Sequence, residues 1–229
     1  MAAMLMLLRL VLIVSAALGV ARAACAQVTV VDDLGRSVVL AHPAERIISL
    51  SPHATELLFD VGAGGRVVGV SQGSDYPQAA TRIPHVGGAG GLDMERIVQL
   101  RPDLVVAWAS GNSRLAVDRL IDMGIPVYFS EPRRLEDVAT SLERLGRLAG
   151  TESVAYAAAQ AFDSRLQQLR VQYAHRATVT VFYEIWNSPL LTVNGEHMIS
   201  HVIEVCGGRN VFADVPVLTP QVKLLELCS

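Results

Sequence analysis

Two glutamates on short helical stretches carry the clearest potential chemistry in this chain: Glu95, in Asp93-Met-Glu-Arg-Ile-Val-Gln-Leu100, and Glu204, in Ile203-Glu-Val-Cys-Gly-Gly208. One falls in the N-terminal half and one in the C-terminal half, and after each the chain turns into a strand or loop. Acidic groups placed one per lobe suggest a ligand clamp that docks symmetrically on a partner. They do not make a catalytic centre, and two solvated helix glutamates would show the same pattern. His197 and His201 are four apart on a helical stretch, so both could face one metal ion. The neighbouring sequence supplies no third ligand, and an exposed helical face is the simpler account. His53, in the first turn of a helix, could point into a cleft and ligate a metal cofactor, or act as a cap or solvent-facing group. Trp186, in Glu184-Ile-Trp-Asn-Ser-Pro189, and Trp108 stand at strand ends, where side chains face a ligand crevice or join the core. The sequence has no Walker loop, no G-x-S-x-G elbow and no CxxC. Gly87-Gly-Ala-Gly-Gly91 lacks the G-x-G-x-x-G spacing and follows no clear strand, so it reads as a flexible rim loop. Nothing here points to an enzyme, and no metal or cofactor site is assigned.

The elements that must hold these residues alternate between short β-rich runs and helices. Arg46-Ile-Ile-Ser-Leu50 reads as a buried strand, and Ser51-Pro52 opens a helix with serine as N-cap and proline at the first helical position. Arg66-Val-Val-Gly-Val70, Leu104-Val-Val-Ala-Trp108 and Pro126-Val-Tyr-Phe-Ser130 are further strands, with helices from Asp93 to Leu100 and from Ser113 to Met123. This is the βαβ rhythm of a parallel sheet flanked by helices. From Leu135 to about Ala174 the sequence is proline-free with apolar residues at helical spacing. It predicts a long helix bridging two lobes, kinked at Gly150-Thr151, or two packed helices. A second α/β unit begins at Val179-Thr-Val-Phe-Tyr-Glu-Ile185 and reaches a helix near Met198 to Cys206.

Compartment and partners follow from composition. Residues 1–20 are almost wholly apolar with Arg9 near the start, and Ala21-Arg-Ala23 or Ala24-Cys-Ala26 fits a small-residue cleavage site. The apolar stretch after Arg9 falls short of the ~20 residues of a membrane span, so residues 1–26 read as a secretory signal peptide and the mature chain as exported. Arg22 stands where a lipidation site at Cys25 would want an apolar residue. Removing that segment takes Arg9 and Arg22 with it and moves the formal net charge from −3 to −5. Mild acidity argues against a nucleic acid or membrane surface as partner. Cys206 and Cys228 could pair in an oxidising compartment, but two cysteines make no disulfide framework.

From Val28 to Val222 the chain resembles the periplasmic cobalamin-binding proteins of ATP-driven (ABC) importers, within the wider class of binding proteins for haem, siderophores and corrinoids. The residues that carry the resemblance are Ser51-Pro-His-Ala-Thr-Glu56, Ser74-Asp-Tyr-Pro77, Glu95-Arg-Ile-Val98, Arg101-Pro-Asp-Leu-Val-Val-Ala-Trp108, Gly111-Asn112, Glu204-Val-Cys-Gly-Gly208 and Asn210-Val-Phe212. The resemblance implies an α/β chain of two lobes joined by a long helix. Residues 27–132 would form the N-terminal lobe, 133–176 the interlobe helix and 177–229 a partial C-terminal lobe. The implied function is capture of cobalamin or a related corrinoid between the lobes in the periplasm and delivery to an inner-membrane permease. Glu95 and Glu204 match the glutamates that meet arginine-lined pockets on the permease. Haem or ferric siderophore is the alternative cargo, with His53 or Tyr76 as iron ligand. An exported metal-dependent enzyme using His197 and His201 is a more distant one.

Some cobalamin binders carry aromatics at the positions of Gly73 and Ala89, so stacking on a corrin here is expected from Tyr76, Trp186 or backbone packing. The family continues past Pro220-Gln-Val222 with further elements, including a cysteine that pairs with the one matching Cys206. This sequence closes on Lys223-Leu-Leu-Glu-Leu-Cys-Ser229. The expectation is therefore an incomplete C-terminal lobe, with Cys228 as a substitute partner for Cys206.

Overall fold

The computed structural model describes residues 27–88 and 90–223. The expected signal peptide with Cys25, the candidate ligand position Ala89, and Cys228 lie outside the described residues. The chain opens with an antiparallel hairpin, β1 (Val28–Val31) and β2 (Ser37–Leu40), that the sequence reading passes over. Its inward residues Val28, Val30, Val38 and Leu40 alternate with exposed ones, as period 2 requires. Asp32 closes the turn by accepting from the backbone N–H groups of Leu34 (3.0 Å) and Arg36 (2.8 Å).

Four parallel strands form the main sheet in the order β4-β3-β7-β8: β4 (Val67–Val70), β3 (Ile47–Ser49), β7 (Leu104–Trp108) and β8 (Val127–Ser130). Both faces are covered, which is why these strands read as continuous apolar runs. On one face Ile47, Leu104, Val106 and Tyr128 pack with Ala54 and Leu58 of α1 (Pro52–Asp60) and with the hairpin. On the other, Ile48, Val105 and Phe129 pack with Ile97 of α2 (Met94–Gln99) and with Val117 and Leu120 of α3 (Arg114–Asp122). Helix starts follow the expected chemistry. Ser51 Oγ accepts from Ala54 N–H at 3.4 Å with Pro52 at the first position, and Asp93 Oδ1 accepts from Arg96 N–H at 3.0 Å. The glycine run is not an open loop: β5 (Gly87–Gly88) pairs with β6 (Gly91–Leu92) in a tight hairpin. A Cβ on Gly87 would lie 2.3 Å from Gly91 O, so that close approach depends on glycine.

Of the two readings of the Leu135–Ala174 stretch, the structure has the two packed helices. Helix α4 (Leu135–Ala149) ends at Gly150, which takes the left-handed conformation (φ 62°), and α5 (Glu152–Tyr173) starts after Thr151. Leu142, Leu145 and Leu148 of α4 are buried in the N-terminal core, joined by Ala155 and Ala159 of α5. The two helices approach closely at Gly146, where an added Cβ would come within 2.1 Å of Ala155 Cβ.

Beyond α5 lies a smaller βαβ unit. Strand β9 (Val179–Val181) runs parallel to β10 (Gly208–Asn210), with α6 (Met198–Val205) as the crossover. The sequence reading anticipates the first strand, longer than it is, and the helix, but not the second strand. The α/β class, the two lobes and the long connecting helix stand as expected.

Candidate functional site

The carboxyl ends of β3, β7 and β8 open into a cleft of about 230 Å³, where open parallel sheets place ligand sites. His53, Trp108, Ser110 and Glu131 line it from the N-terminal lobe. Glu196, His197, Met198 and Leu218 face them from the C-terminal lobe. The same hollow includes Pro132 and Arg133.

Each N-terminal wall residue is held by a motif whose parts now have a physical reason. Trp108 ends β7, and its N–H donates to Asn112 Oδ1 at 2.7 Å, while Asn112 Nδ2 donates to Leu50 O at 3.0 Å. One asparagine therefore ties the tips of two adjacent strands. Gly111 lies under the indole, where a Cβ would sit 1.9 Å from Trp108 Cε3, so any larger residue would push the ring away. The indole meets His53 edge-to-face, with ring centroids 5.5 Å apart at 83°. His53 Nε2 lies 3.3 Å from Ser130 Oγ. Glu131 accepts from Ser110 N–H (2.8 Å) and Ser110 Oγ–H (2.9 Å), and its own N–H donates to Asp33 Oδ2 (2.7 Å).

The Ser-Pro-His-Ala-Thr and Ser-Asp-Tyr-Pro stretches meet through buried hydroxyls. Thr55 Oγ1 lies 2.9 Å from Ser49 Oγ and 3.1 Å from Ser74 Oγ, and Ser74 Oγ is 3.1 Å from Ser71 Oγ. This pins the 73–77 loop beside the start of α1. Gly73 takes φ 83°, a left-handed conformation that disfavours any side chain there, an aromatic included. Tyr76 is 65% exposed on the same loop.

The opposite wall begins at His197, the N-cap of α6, whose Nδ1 accepts from Ile199 N–H at 3.2 Å. The neutral ring then carries its proton on Nε2. Burial lowers the pKa of both His53 and His197, and in both the Glu131 carboxylate opposes that shift; His201 adds to it at His197. Burial thus favours the neutral form of both imidazoles, and the Glu131 carboxylate acts on both.

The remaining candidates lie elsewhere. Trp186 is 62% exposed, five residues past the end of β9, with its Nε1–H donating to Ser188 O at 3.0 Å; it does not line the cleft, and Trp108 does. Although four apart, His197 and His201 line different hollows. His201 faces a groove of about 440 Å³ with Glu204, Arg134, Glu136, Arg170 and Arg176, and its Nδ1 is 3.7 Å from Glu204 Oε2. Within that groove Arg170 donates to Glu136 and holds its carboxyl down at about 2. Among the described residues no group of three His, Cys, Asp or Glu could hold a metal ion. Glu95, in the first turn of α2, is exposed beside a separate hollow with Asp93, Arg96 and Gln99, and accepts from Gln99 Nε2 at 3.1 Å. Cys206 has an exposed free thiol. Glu131 and Ser110, 21 residues apart, carry no sequence signal that could have joined them.

Residues 47–222 match the family described as periplasmic binding protein. The vitamin B12-binding protein of Yersinia pestis (strain Pestoides F) is 40% identical over 183 residues, covering 80% of this chain and 65% of that protein. The vitamin B12-binding protein of Yersinia pseudotuberculosis serotype IB (strain PB1/+) gives the same values. The chain therefore spans just under two thirds of the length of the curated relatives it matches. The crystal structure of the periplasmic vitamin B12 binding protein BtuF of Vibrio cholerae matches with a TM-score of 0.75 at 39% identity, over 81% of this chain and 72% of that one. A periplasmic heme binding protein from Pseudomonas aeruginosa matches with a TM-score of 0.74 at 24% identity, over 80% and 68%, a likeness of fold.

Proposed function

Because the chain belongs to the periplasmic binding protein family, we propose that it captures cobalamin or a related corrinoid between its lobes and delivers it to an ABC permease, without a catalytic step. The observation that carries this reading is the interlobe cleft walled by the His53–Trp108 pair, the Ser110–Glu131 pair and the start of α6. At about 230 Å³ the cleft is smaller than the ~300–1,000 Å³ that encloses a drug-sized ligand. It takes one edge of a macrocycle, with the rest of the ring outside it. The relatives that bind vitamin B12 support corrinoid as the cargo.

The neutral imidazole of His53 at the cleft favours a second reading, haem or a ferric siderophore, with His53 or Tyr76 on the iron. A spectroscopic titration of the purified protein with cobalamin, corrinoid precursors and haem separates the two. Corrinoid binding tighter than haem binding supports the proposal. Tight haem binding with an iron–histidine or iron–tyrosinate spectrum, and no corrinoid binding, sinks it.

Glu95 and Glu204 serve as the two docking carboxylates, since both are exposed, on different lobes, and outside the cleft. Replacing either by Gln weakens association with the permease and leaves ligand affinity intact. Loss of ligand binding in either isolated variant would refute the docking role. The protein works in the periplasm, exported by residues 1–26. Among the described residues no helix is long and apolar enough to cross a membrane.

A further inference from the structure

We infer that Glu131 sets the peripheral chemistry of the ligand: it admits a tetrapyrrole edge bearing carboxamides and turns away one bearing carboxylates. The inference rests on the corrinoid reading above and concerns which members of that class, and of its haem-like competitors, the cleft accepts.

A carboxylate offers about four lone-pair sites. Ser110 fills two of them, through its N–H at 2.8 Å and its Oγ–H at 2.9 Å. Both donors come from one neighbouring residue, so the group is oriented and its remaining lone pairs stay available to the cleft it lines. Among the described residues Glu131 enters no ion pair. The imidazoles of His53 and His197 lie on either side, and burial favours their neutral forms, so neither supplies a cation at neutral pH. Glu196 adds a second negative charge from the opposite wall, and Arg133, exposed at the same hollow, offsets one of the two. The cleft is thus acceptor-rich and carries a net negative charge.

Charge and donor count make the consequence one-sided. A carboxamide brings two N–H donors and no charge, so it satisfies the spare lone pairs of Glu131. A carboxylate brings acceptors and a like charge, which leaves both groups unpaired and repelling. Corrinoids of the cobalamin type are rimmed with carboxamides, whereas haem presents propionates. Because the narrow cleft receives the ligand by its edge, this rim chemistry is what Glu131 reads.

The test uses two probes with the same corrin ring. Dicyanocobinamide has an amide rim, and cobyrinic acid has a carboxylate rim. Binding of both is measured by absorbance titration on the full protein, on Glu131→Gln and on Glu131→Asp. The wild type is expected to prefer dicyanocobinamide. Glu131→Gln lowers that preference by about tenfold or more, losing amide-rimmed and gaining carboxylate-rimmed ligand, while Glu131→Asp keeps it. An unchanged preference in Glu131→Gln overturns the inference. Should Glu131→Gln fail to fold, shown by loss of its circular dichroism, the wild type decides. Its preference must shrink as salt rises from about 0.05 to 0.5 M, because screening weakens the repulsion, and a salt-independent preference overturns the inference. If the folded wild type binds neither corrinoid, the corrinoid reading itself has failed, and this inference falls with it.

Discussion

In the N-terminal lobe the strands beneath the cleft are sealed on both faces: Ile47, Ile48, Leu104, Val105 and Val106 are fully buried, with α1 and α4 on one side and α2 and α3 on the other. In the C-terminal lobe Val179 of β9 is 63% exposed, and the buried residues include the polar Thr192, Asn194, Ser200 and Asn210 beside Val193, Phe212 and Val222. Asn194, Ser200 and Asn210 form one connected set, while Thr192 Oγ1 donates to Tyr183 O. Asn210 Nδ2 donates to Val193 O (2.7 Å) and lies 2.8 Å from Ser200 Oγ, and Ser200 Oγ–H donates to Asn194 O (2.6 Å). Asn194 in turn donates to Val215 O (3.0 Å) and accepts from Glu196 N–H (3.0 Å). The sheet beneath one wall is thus sealed by apolar packing, whereas the support of the other wall rests largely on directional hydrogen bonds. Apolar packing is spread over many contacts and fails globally. A bonded network of this size concentrates its stability in two or three side chains and fails locally.

The largest expected effect is in the packed lobe. Leu145→Ala removes a fully buried α4 side chain and is expected to cost about 2–5 kcal/mol. Denaturant unfolding checks this, with amide exchange accelerating throughout the main sheet. A loss under about 1 kcal/mol would mean that the sheet is less tightly covered than its burial indicates. Next comes Asn210→Ala, which removes the amide donor to Val193 O and Ser200 Oγ and the acceptor of Phe212 N–H. Its expected cost is about 1–3 kcal/mol, confined to residues 192–215 in hydrogen exchange while the main sheet stays protected. Uniform destabilisation would break the contrast between the lobes.

A pH titration sharpens the same comparison, because each wall carries one histidine. Both folded-state pKa values lie below the ordinary 6.5, chiefly through burial. The unfolded chain therefore binds protons more readily than the folded one below that pH. The stability contributed by the neutral rings is fully present above about pH 6.5 and is lost as pH falls through the lowered folded values. Thermal melts should decline on that acid side, and in His53→Gln the decline should be smaller. An imidazole resonance that titrates at or above 6.5 at either site would contradict this. The smallest effect is Val179→Ala, within about 0.5 kcal/mol in the same unfolding assay, because most of its surface is already in water.

The same physics decides what the sequence discloses. Strands sealed on both faces print as continuous apolar runs, so β3, β4, β7 and β8 are legible as strands, and Ser51 and Asp93 mark their helix starts. The β1–β2 hairpin also alternates legibly at Val28, Val30, Val38 and Leu40, but its turn, Asp32-Asp-Leu-Gly35, lacks the Asn-Gly signal of a short hairpin. Gly150 reads correctly as a break and leaves open whether it bends one helix or separates two. The strand-end rule that puts an aromatic in a crevice holds for Trp108. For Trp186 it misleads, because β9 ends at Val181 and the tryptophan rides a later turn. The polar wall and the Ser110–Glu131 pair are silent in sequence. They depend on residues 10 to 21 positions apart meeting through hydrogen bonds, and no periodicity records that.

Helix α5 has a mechanical consequence. Its first turns are packed in the N-terminal core through Ala155 and Ala159, and its last residue, Tyr173, brings its carbonyl within 3.5 Å of where a Cβ on Gly207 would stand. At 1.5 Å per residue its 22 residues form a lever arm about 33 Å long, with neither glycine nor proline between Glu152 and Tyr173 to act as a joint. A tilt of only about 5° at the packed end would swing the far end by about 3 Å. The placement of the C-terminal lobe against the N-terminal one is then set by the bending stiffness of this one rod and by the grip of the small residues Gly146 and Ala155 at its fulcrum.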